Sequence, residues 1–399
     1  MIRRIGLLIT VLGAMLLACT GVVLAQQTTG PDASQRTTPS SPPKTPTNKI
    51  PDQYIVVLKD DARDPTAVAR EHAQRHGLEV LQTYRYAIKG YAARIPASRL
   101  DDVRAEEQVD YVEADQEVRA VAQTTPWGIT KVGGDVSPTN SPVGGTSPTD
   151  PSSTVSAYII DTGIDTNHAD LKVAGHVNPS GAGGGNKDCN GHGTHVAGTV
   201  AAKDNAQDVV GSPSGVSLYG VKVLSCSGSG TWSGVIKGID WVTANAKKPA
   251  VANMSLGGGA SDAVDQAVKN SASKGIFYAV AAGNDNVDAC TNSPARAGAG
   301  TDNGVMTVGA TDKNDAKASF SNYGSCVDIW APGVSILSTK KGGGMTTMSG
   351  TSMASPHGAG GGVLYLTKNV GASPSSVEGA LKNAAQSTAP GKRLYVGTF

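Results

Sequence analysis

The sequence shows no excess of positive or negative charge. Of its 399 residues, 34 are Lys or Arg and 33 are Asp or Glu, so the net charge is +1. This balance leaves no electrostatic footprint for nucleic acid or for an anionic membrane, and we expect neither as a partner. Glycine is abundant, with 50 residues, but it follows no three-residue repeat, which excludes a collagen-like chain. Hydrophobic residues make up 39%, enough for a core, so wholesale disorder is also excluded.

The sequence also lacks long apolar runs, apart from one near its N-terminus. That run covers residues 5–24, follows two arginines and ends at a V-x-A motif, so it predicts a signal peptide over residues 1–25. One alternative is a membrane anchor, because about 20 apolar residues can span a bilayer. Another is a lipoprotein anchored through Cys19, since the four residues ending there resemble a lipoprotein cleavage box. The main prediction is a secreted, extracellular protein with no membrane span in its mature form.

Cysteine is scarce, with five residues, and Cys19 lies in the signal region. Four cysteines in an exported chain predict two disulfides, with three possible pairings. Zinc is the alternative, because one cysteine and His192 have a C-x2-H spacing, although no second C-x2-C or H-x3-H pair accompanies it. The cysteines of the exported part are Cys189, Cys226, Cys290 and Cys326.

The density of charged residues divides the chain near residue 120. Residues 50–120 contain 24 charged residues, about a third of that segment, whereas residues 121–399 contain 37, about an eighth. Such a break predicts two domains with different roles. Residues 26–49 precede both domains and consist mainly of Ser, Thr, Pro and Gln with almost no apolar residues, so they predict a disordered linker.

The periodicity of apolar residues between 50 and 119 predicts the element order βαββαβ. This order is typical of a small ferredoxin-like α+β sandwich. A fold alone identifies no function, so any small α+β module remains possible at this point. We predict strands over 53–58, 78–84, 88–95 and 109–114, and helices over 64–76 and 97–107.

After residue 127 short apolar strands alternate with helical stretches. Near-continuous apolar strands separated by helices predict a mostly parallel sheet covered on both faces, an α/β fold. In such sheets the ligand site lies at the carboxyl ends of the strands. We predict strands over 155–161, 217–224, 250–255, 276–282 and 305–309, and helices over 193–202, 233–246, 261–274 and 351–367.

Four polar motifs lie at the ends of these strands or at the starts of these helices. Asp161 ends a strand, and on its own it is typical of a strand-end or turn aspartate. His192 and His195 stand at a helix start, where a metal site or a helix cap is the alternative. Asn284 follows a strand as a turn residue would, and Ser352 has the position of a helix N-cap. The four motifs become specific only in combination.

In chain order the motifs supply Asp, His, Asn and Ser, and the order Asp–His–Ser is that of subtilisin. The sequence resembles the subtilisin-like serine proteases over about residues 127–395, and most closely their proteinase K and aqualysin-like branch. Residues 50–119 resemble the inhibitory propeptide of that family. The motifs that carry the resemblance are Asp161–Gly163, His192–Gly198, Val251–Gly258, Phe320–Gly324 and Gly350–His357.

The resemblance implies a subtilisin-like three-layer fold and a serine endopeptidase, a hydrolase that needs no catalytic cofactor. His192 would take the proton of Ser352 and pass it to the leaving amine. Asp161 would hold His192 in the correct tautomer. The Asn284 side chain and the backbone N–H of Ser352 would bind the oxyanion.

The family binds its substrates as an extended strand between two segments of the enzyme, through main-chain hydrogen bonds that are blind to sequence. The segments that align here are Gly228, Ser229 and Gly230, and Ser255, Leu256 and Gly257. Three nearby glycines would leave the first specificity pocket roomy, which implies broad specificity with an aromatic or aliphatic preference. Simple turn geometry is the alternative for these glycines, which are Gly257, Gly258 and Gly283.

The resemblance also implies several structural features. The disulfides would join Cys189 with Cys226 and Cys290 with Cys326. His195 and His357 would be structural rather than catalytic. Asp328 matches a calcium-binding aspartate, whose partner carbonyls would come from the loop that follows residue 295. By the same resemblance that loop, residues 296–304 here, would be several residues longer than usual for the family.

The resemblance places the mature N-terminus near Gln123, so we predict autocleavage between Val118 and Gln123 and a peptidase domain over 123–399. The 50–119 domain would assist folding and then block the cleft as an intramolecular inhibitor; a permanent accessory domain is the alternative. We expect a monomer that acts on proteins and peptides. Two other classes stay open, namely an inactive binding protein that keeps the fold and a secreted adhesion or structural protein.

Overall fold

The computed structural model describes residues 49–120, 127–135, 154–204 and 208–399. The predicted signal peptide, Cys19 and almost the whole predicted linker 26–49 lie outside the described residues. Residues 121–123 of the predicted cleavage region lie outside them as well. Within the described residues, no helix is both long enough and apolar enough to cross a membrane.

Residues 49–120 fold into an antiparallel sheet with two helices on one face, in the predicted order βαββαβ. The elements are β1 (Lys49–Leu58), α1 (Pro65–His76), β2 (Glu79–Tyr84), β3 (Gly90–Arg94), α2 (Leu100–Arg104) and β4 (Val109–Ala120). Strand β1 is central and pairs with β3 and β4, and β2 pairs with β3. Helix α1 begins where Asp64 accepts a hydrogen bond from the Ala67 N–H at 3.2 Å, and it ends at Gly77 in the left-handed conformation.

The remaining described residues form a larger α/β part. Its strands are β5 (Ser156–Asp161), β6 (Val173–Val177), β7 (Ser217–Lys222), β8 (Ser229–Thr231), β9 (Ala250–Met254), β10 (Leu256–Gly259), β11 (Ile276–Ala281), β12 (Asn292–Ser293), β13 (Val305–Thr311), β14 (Ile329–Pro332), β15 (Ile336–Thr339), β16 (Met345–Met348), β17 (Gln386–Thr388) and β18 (Gly391–Arg393). Its helices are α3 (Gly128–Lys131), α4 (His192–Ala201), α5 (Trp232–Asn245), α6 (Asp262–Ser273), α7 (Thr351–Lys368) and α8 (Pro374–Ala384), and short 3-10 helices cover Ala289–Thr291 and Ala295–Gly298. Every strand and helix predicted after residue 127 has a counterpart whose ends differ by at most two residues.

Nine of the described strands form one sheet, in the order β17-β18-β14-β13-β11-β9-β5-β7-β6. Neighbouring strands are parallel, except that β17 and β18 are antiparallel, which confirms the predicted mostly parallel sheet. Successive residues of a strand point to opposite faces of a sheet. In β5, Ala157 and Ile159 pack with α4 and α7, whereas Tyr158 and Ile160 pack with α5 and α6. The sheet is therefore the middle of three layers.

The sheet of residues 49–120 is buried on both faces. On one face Val56 and Tyr91 pack with α1 and α2. On the other face Ile55, Val57 and Tyr84 share a hydrophobic cluster with α5 and α6 of the larger part. A domain of this size buries little apolar surface alone, and docking onto α5 and α6 covers the second face of its sheet.

Strand β4 departs furthest from the sequence prediction. The prediction ended this strand at residue 114, but it continues to Ala120 and leaves its own sheet. Its last residues pair with β8 on one side and β10 on the other, and these partners are too distant in sequence to enter a local periodicity. The helix predicted over 97–107 is shorter at both ends, since a 3-10 turn at Ala97–Arg99 precedes α2 and α2 ends at Arg104.

Candidate active site

Asp161 and His192 meet at the carboxyl edge of the parallel sheet. Asp161 is the last residue of β5 and His192 is the first of α4. The Nδ1–H of His192 donates to Asp161 Oδ1 at 2.8 Å, and the Thr162 N–H donates to the same oxygen at 2.7 Å. Both side chains are buried, so little water competes with their hydrogen bond. The contact places the proton of His192 on Nδ1 and makes Nε2 the basic nitrogen.

Asp188 is a buried carboxylate that the sequence analysis missed. Its Oδ1 accepts from two backbone N–H groups of the turn before α4, at 2.9 and 2.8 Å, and from Thr162 Oγ1 at 3.1 Å. Its Oδ2 accepts from the Thr194 N–H at 3.1 Å and from Thr194 Oγ1 at 2.5 Å. A negative charge at a helix N-terminus is stabilising. Asp188 thereby holds the start of α4, and with it His192, against the turn that follows Asp161.

Ser352 stands in the first turn of α7, whose N-cap is Gly350. Pro356 lies inside this helix and has no N–H, so the Ser352 carbonyl lacks its usual helical donor. Ser255 Oγ donates to that carbonyl at 2.7 Å instead, and the Ser352 hydroxyl donates to the Ser255 carbonyl at 3.2 Å. The two serines therefore hold each other in place, and Ser352 is fully buried.

Thr351, the residue before Ser352, orients the amide of Asn284. Asn284 Oδ1 accepts from the Thr351 N–H and from Thr351 Oγ1, both at 2.8 Å. Thr351 Oγ1 in turn accepts from the Gly283 N–H at 3.0 Å. Within the described residues the buried Nδ2 of Asn284 has no hydrogen-bond partner. A buried amide donor kept free next to a serine is what an oxyanion site requires.

Gly283 and Asn322 shape the loop that carries Asn284. Gly283 has a φ of 102°, and a Cβ atom there would lie 2.3 Å from Asn322 Nδ2, so only glycine fits. Asn322 Nδ2 donates to the Ala282 carbonyl at 3.0 Å. Its Oδ1 accepts from two backbone N–H groups of the loop after Asn284, at 3.0 and 3.1 Å. Asn322 belongs to a motif that the sequence analysis singled out, and its contacts show that it braces this loop.

The two other histidines of the family motifs, His195 and His357, are neutral. Burial lowers the pKa of His195 to about 3 and that of His357 to about 4. The Nε2–H of His195 donates to the Ile336 carbonyl at 3.0 Å, and the Nδ1–H of His357 donates to the Met353 carbonyl at 2.9 Å. Contacts with backbone carbonyls agree with the structural roles that the resemblance implies for them.

Strand β4 lies between the two segments predicted to bind substrate. Residues 117–119 pair antiparallel with β8, and residues 119–120 pair antiparallel with β10. In this ladder Arg119 lies opposite both Ser229 and Gly257. An extended chain held by backbone pairing on both sides is the geometry of β-strand addition. The predicted residues in or directly before β8 and β10 are Gly228, Ser229, Gly230, Ser255, Leu256 and Gly257.

A pocket next to Asn284 brings the three predicted glycines together. Gly257, Gly258 and Gly283 line it, together with Asn292. Strand β12, which contains Asn292, pairs with β10, the strand that contains Gly257. The pocket therefore lies between one strand that flanks β4 and the free amide donor.

Both disulfides have the pairing that the resemblance implies. Cys189–Cys226 joins the turn before His192 to the loop before β8, and the second disulfide is Cys290–Cys326. Because zinc binds a thiolate, the disulfide removes Cys189 as a zinc ligand. Within the part of the chain that the structure describes, no group of three His, Cys, Asp or Glu side chains is arranged to hold a metal ion.

The residues around Asp328 do not fit a calcium ion. Asp328 Oδ2 accepts from the Thr307 N–H at 2.7 Å, and Oδ1 accepts from the Lys382 ammonium at 3.0 Å. The partner carbonyls were expected from the loop that follows residue 295, and there the carbonyls of Arg296 and Ala297 accept hydrogen bonds from the protein itself. The carbonyls of Pro294 and Ala295, just before that loop, do so as well. A calcium ion requires about six to eight oxygen ligands. Calcium at Asp328 therefore stays a prediction without support from this geometry.

Two carboxylates of β4 cap helices of the larger part. Glu113 accepts from Ser261 Oγ and from the Ala263 N–H, the latter at 3.4 Å, at the start of α6. Asp115 accepts from the Ser233 N–H at 3.0 Å at the start of α5. Burial raises the pKa of both carboxyl groups. The N-terminus of a helix attracts negative charge, so these contacts fix where the 49–120 domain docks.

Asp240 of α5 makes a reciprocal contact with the docked domain. Its Oδ1 accepts from the backbone N–H groups of Arg85, Tyr86 and Ala87, at 3.2, 2.6 and 2.9 Å. Three N–H donors on one carboxylate oxygen stabilise the negative charge of this buried side chain. Each domain thus supplies carboxylates that bind N–H groups of the other. These contacts hold the 49–120 domain over α5 and α6 while the end of β4 lies between β8 and β10.

Two protein families match the chain. Residues 152–396 match the subtilase family, and residues 53–120 match the peptidase inhibitor I9 family. The first match alone spans more than half of the sequence. The boundary between the two matches falls where the charge density drops.

Individual proteins agree with the family matches. An extracellular serine proteinase of Thermus sp. (strain Rt41A) is 43% identical over 358 residues, which cover 83% of this chain and 84% of the relative. Alkaline serine exoprotease A of Vibrio alginolyticus is 43% identical over 361 residues, which cover 84% of this chain and 64% of the relative. A crystal structure of a cold-adapted subtilisin-like serine proteinase is 44% identical, with a TM-score of 0.58, and the match covers 66% of this chain and 97% of that one. The chain belongs to the subtilase family and is a subtilisin-like serine protease with an N-terminal I9 propeptide inhibitor domain.

Proposed function

We propose that the chain is a secreted serine endopeptidase of broad specificity in which Asp161, His192 and Ser352 form the catalytic triad. One observation carries this proposal. The buried Asp161–His192 hydrogen bond lies at the same sheet edge as Asn284, whose free Nδ2 is held next to Ser352 by Thr351. A base with its orienting carboxylate, a hydroxyl and an unpaired donor together supply the parts that acyl transfer needs.

The reaction would follow from these positions. Ser352 Oγ attacks the peptide carbonyl while His192 Nε2 takes its proton, and Asp161 stabilises the imidazolium that forms. The oxyanion accepts hydrogen bonds from Asn284 Nδ2 and the Ser352 N–H. Breakage of the C–N bond passes the proton from His192 to the leaving amine, and water then hydrolyses the acyl-enzyme. Because the Ser352 hydroxyl donates to the Ser255 carbonyl here, it must turn toward His192 before attack.

Substrates would bind as β4 does, as an antiparallel strand between β8 and β10. The ladder uses backbone groups, so it accepts many sequences. The pocket lined by Gly257, Gly258 and Gly283 would receive the side chain before the cleaved bond. Small lining residues leave room for an aromatic or aliphatic side chain, which is the preference we propose.

The protein would be made as a precursor that processes itself. Residues 1–25 would direct export and be removed, 26–49 would be a linker, and 50–119 would be the inhibitory propeptide. The paired part of β4 ends at Ala120, which supports a cut just beyond it, inside the predicted interval Val118 to Gln123. The released peptidase would be the 123–399 form, acting as a monomer outside the cell. The Thermus relative, which is named as extracellular, supports export.

A serine-directed probe tests the proposed function. We would express residues 26–399, treat the product with a fluorophosphonate and follow its mass. The proposal expects a label on Ser352 in a form that begins near Gln123, and expects Ser352→Ala to lose both the label and the shortening. A folded product that stays unlabelled after a second protease has removed residues 26–122 would instead be an inactive binding protein with this fold.

Replacing Thr351 with valine is expected to lower kcat about tenfold while KM changes little. The substitution removes the hydroxyl that donates to Asn284 Oδ1 and accepts from the Gly283 N–H, but it keeps the shape and the backbone donor. Of the two hydrogen bonds lost, the one to Asn284 orients its amide, and a bond of about 1–1.5 kcal/mol corresponds to roughly that factor in rate. Steady-state kinetics on a peptide anilide would measure it, with Thr347→Val as the control. A rise in KM at constant kcat would show that Thr351 serves substrate binding instead.

Neutralising Glu113 and Asp115 together is expected to weaken the propeptide–enzyme complex at least tenfold. Glu113→Gln and Asp115→Asn keep the side-chain shape but remove two charges from helix N-termini, where each charge-assisted bond contributes about 1.5–3 kcal/mol. The processed full-chain product would be diluted, and the concentration at which protease activity appears would be recorded. Asp110→Asn, on an exposed part of the same strand, is the control. Release at the wild-type concentration would mean that backbone pairing alone holds the domain.

A further inference from the structure

Lys382 of α8 lies among three carboxylates that come from different parts of the chain. Its Nζ is 2.7 Å from Asp302 Oδ1, 3.0 Å from Asp328 Oδ1 and 3.0 Å from Glu378 Oε1. An ammonium group has three N–H donors, so each donor can serve one carboxylate. Charge-assisted hydrogen bonds of this length are among the strong ones in proteins. The three carboxylates therefore surround one positive charge, the ammonium of Lys382.

Each carboxylate of this set is also anchored elsewhere. Asp328 Oδ2 accepts from the Thr307 N–H, and Glu378 Oε2 accepts from the N–H groups of Asn303 and Gly304, both at 2.8 Å. Glu378 is fully buried and Asp328 is only 7% exposed. Buried carboxylates without a nearby cation are strongly destabilising. The ammonium of Lys382 supplies that cation.

The loop over residues 296–304 takes part in the arrangement. It contributes the Asp302 carboxylate and the two N–H groups that bind Glu378. Asn303 braces the loop from inside, since its Nδ2 donates to the Ala297 carbonyl at 2.9 Å. The loop and Asp328 thus both contact the ammonium of Lys382 in α8. Asp328 is the residue at which the family resemblance implied calcium.

We propose that Lys382 is the structural cation of this region, and that its ammonium, instead of a calcium ion, ties Asp328, α8 and the 296–304 loop together. Three carboxylates lie within 3.0 Å of the ammonium, and the carbonyls of residues 294–297 accept hydrogen bonds within the protein, so the arrangement is complete without a metal. A cation that belongs to the chain cannot dissociate or be removed by a chelator. This part of the fold is therefore stable irrespective of the calcium concentration, because it has no calcium binding to which its stability could be linked.

Calorimetry of the full chain tests the proposal without relying on catalysis. All variants carry Ser352→Ala to prevent self-digestion, and apparent Tm values are recorded at one scan rate in calcium chloride and in EDTA. Lys382→Met is expected to lower Tm by about 5 °C or more, the effect of unpairing buried carboxylates. Asp328→Asn is expected to lower Tm by the same amount in calcium as in EDTA. The exposed Lys313→Met is the matched control.

Two results would overturn the proposal. One is a Tm loss for Asp328→Asn that is larger in calcium than in EDTA, because it would place a calcium ion on that carboxylate. The other is a Tm for Lys382→Met that equals that of Lys313→Met.

If Lys382→Met does not fold, Asp302→Asn is used in its place. The Asp302 side chain is 38% exposed, so removing its charge destabilises the fold less than removing the ammonium of Lys382 does. A drop of about 1–3 °C, equal in calcium and EDTA, supports the proposal, and no drop contradicts it.

Discussion

Replacing Ser352 with alanine is expected to lower kcat about 10⁶-fold, the loss measured when the same serine is removed from subtilisin. Without the hydroxyl, the buried Asp161–His192 pair has no nucleophile to activate. KM is expected to change little, because the ladder between β8 and β10 remains. The double variant Ser352→Ala/His192→Ala is expected to be no slower than the single one, since residues that act as a unit are not additive.

The measurement requires a processed enzyme, because a Ser352→Ala precursor cannot cleave itself. The 26–122 segment would be removed in trans by a protease that is then separated, and kcat would be determined with a peptide anilide. Thr367→Val on the same helix is the control, since its hydroxyl donates to the Val363 carbonyl of that helix. Retention of more than about one per cent of kcat after Ser352→Ala would exclude Ser352 as the nucleophile.

Replacing Asn284 with alanine is expected to lower kcat about 10²–10³-fold, the size measured for the amide donor of the subtilisin oxyanion site. The Nδ2 of Asn284 is buried and, among the described residues, has no partner. We therefore expect it to form a hydrogen bond only when negative charge develops on the substrate. Since the ground state does not use this donor, KM should stay nearly constant. Asn284→Asp is expected to lose at least as much, because it replaces the donor with a negative charge.

Kinetics at saturating substrate would separate this effect from a binding defect. The rate of fluorophosphonate labelling should fall in parallel, because the phosphoryl oxygen occupies the same place as the oxyanion. Asn369→Ala, at the exposed end of α7, is the control. A tenfold rise in KM with an unchanged kcat would assign Asn284 to substrate binding and leave the Ser352 N–H as the oxyanion donor.

The residues that we propose carry the chemistry were readable from short motifs. Asp161 follows a buried apolar strand, and His192 and Ser352 begin apolar helices, so their places at the carboxyl edge of a parallel sheet follow from local patterns. The residues that position them were not readable. Asp188 and Thr351 are ordinary turn and cap residues in sequence, and only their contacts show that they hold His192 and Asn284.

The contacts between the two domains could not be predicted from the sequence either. Glu113 reaches the start of α6 and Asp115 reaches the start of α5, across more than a hundred residues of chain. In the sequence, a charged residue on a predicted strand is typical of a solvent-exposed position, and nothing near it identifies a partner so far along the chain. The extension of β4 to Ala120 has the same cause, because its hydrogen bonds go to strands of the other domain.

The sequence by itself determined the two-domain organisation, the strand–helix alternation, and the identity and order of Asp161, His192, Asn284 and Ser352. These depend on composition, periodicity and short motifs, which are local properties of the chain. The tertiary structure alone decided that β4 fills the cleft, that Asn284 keeps a free donor and that Lys382 stands beside Asp328. Each of these depends on which sequence-distant groups meet, because hydrogen bonds act over about 3 Å and exposed charges over about 10 Å.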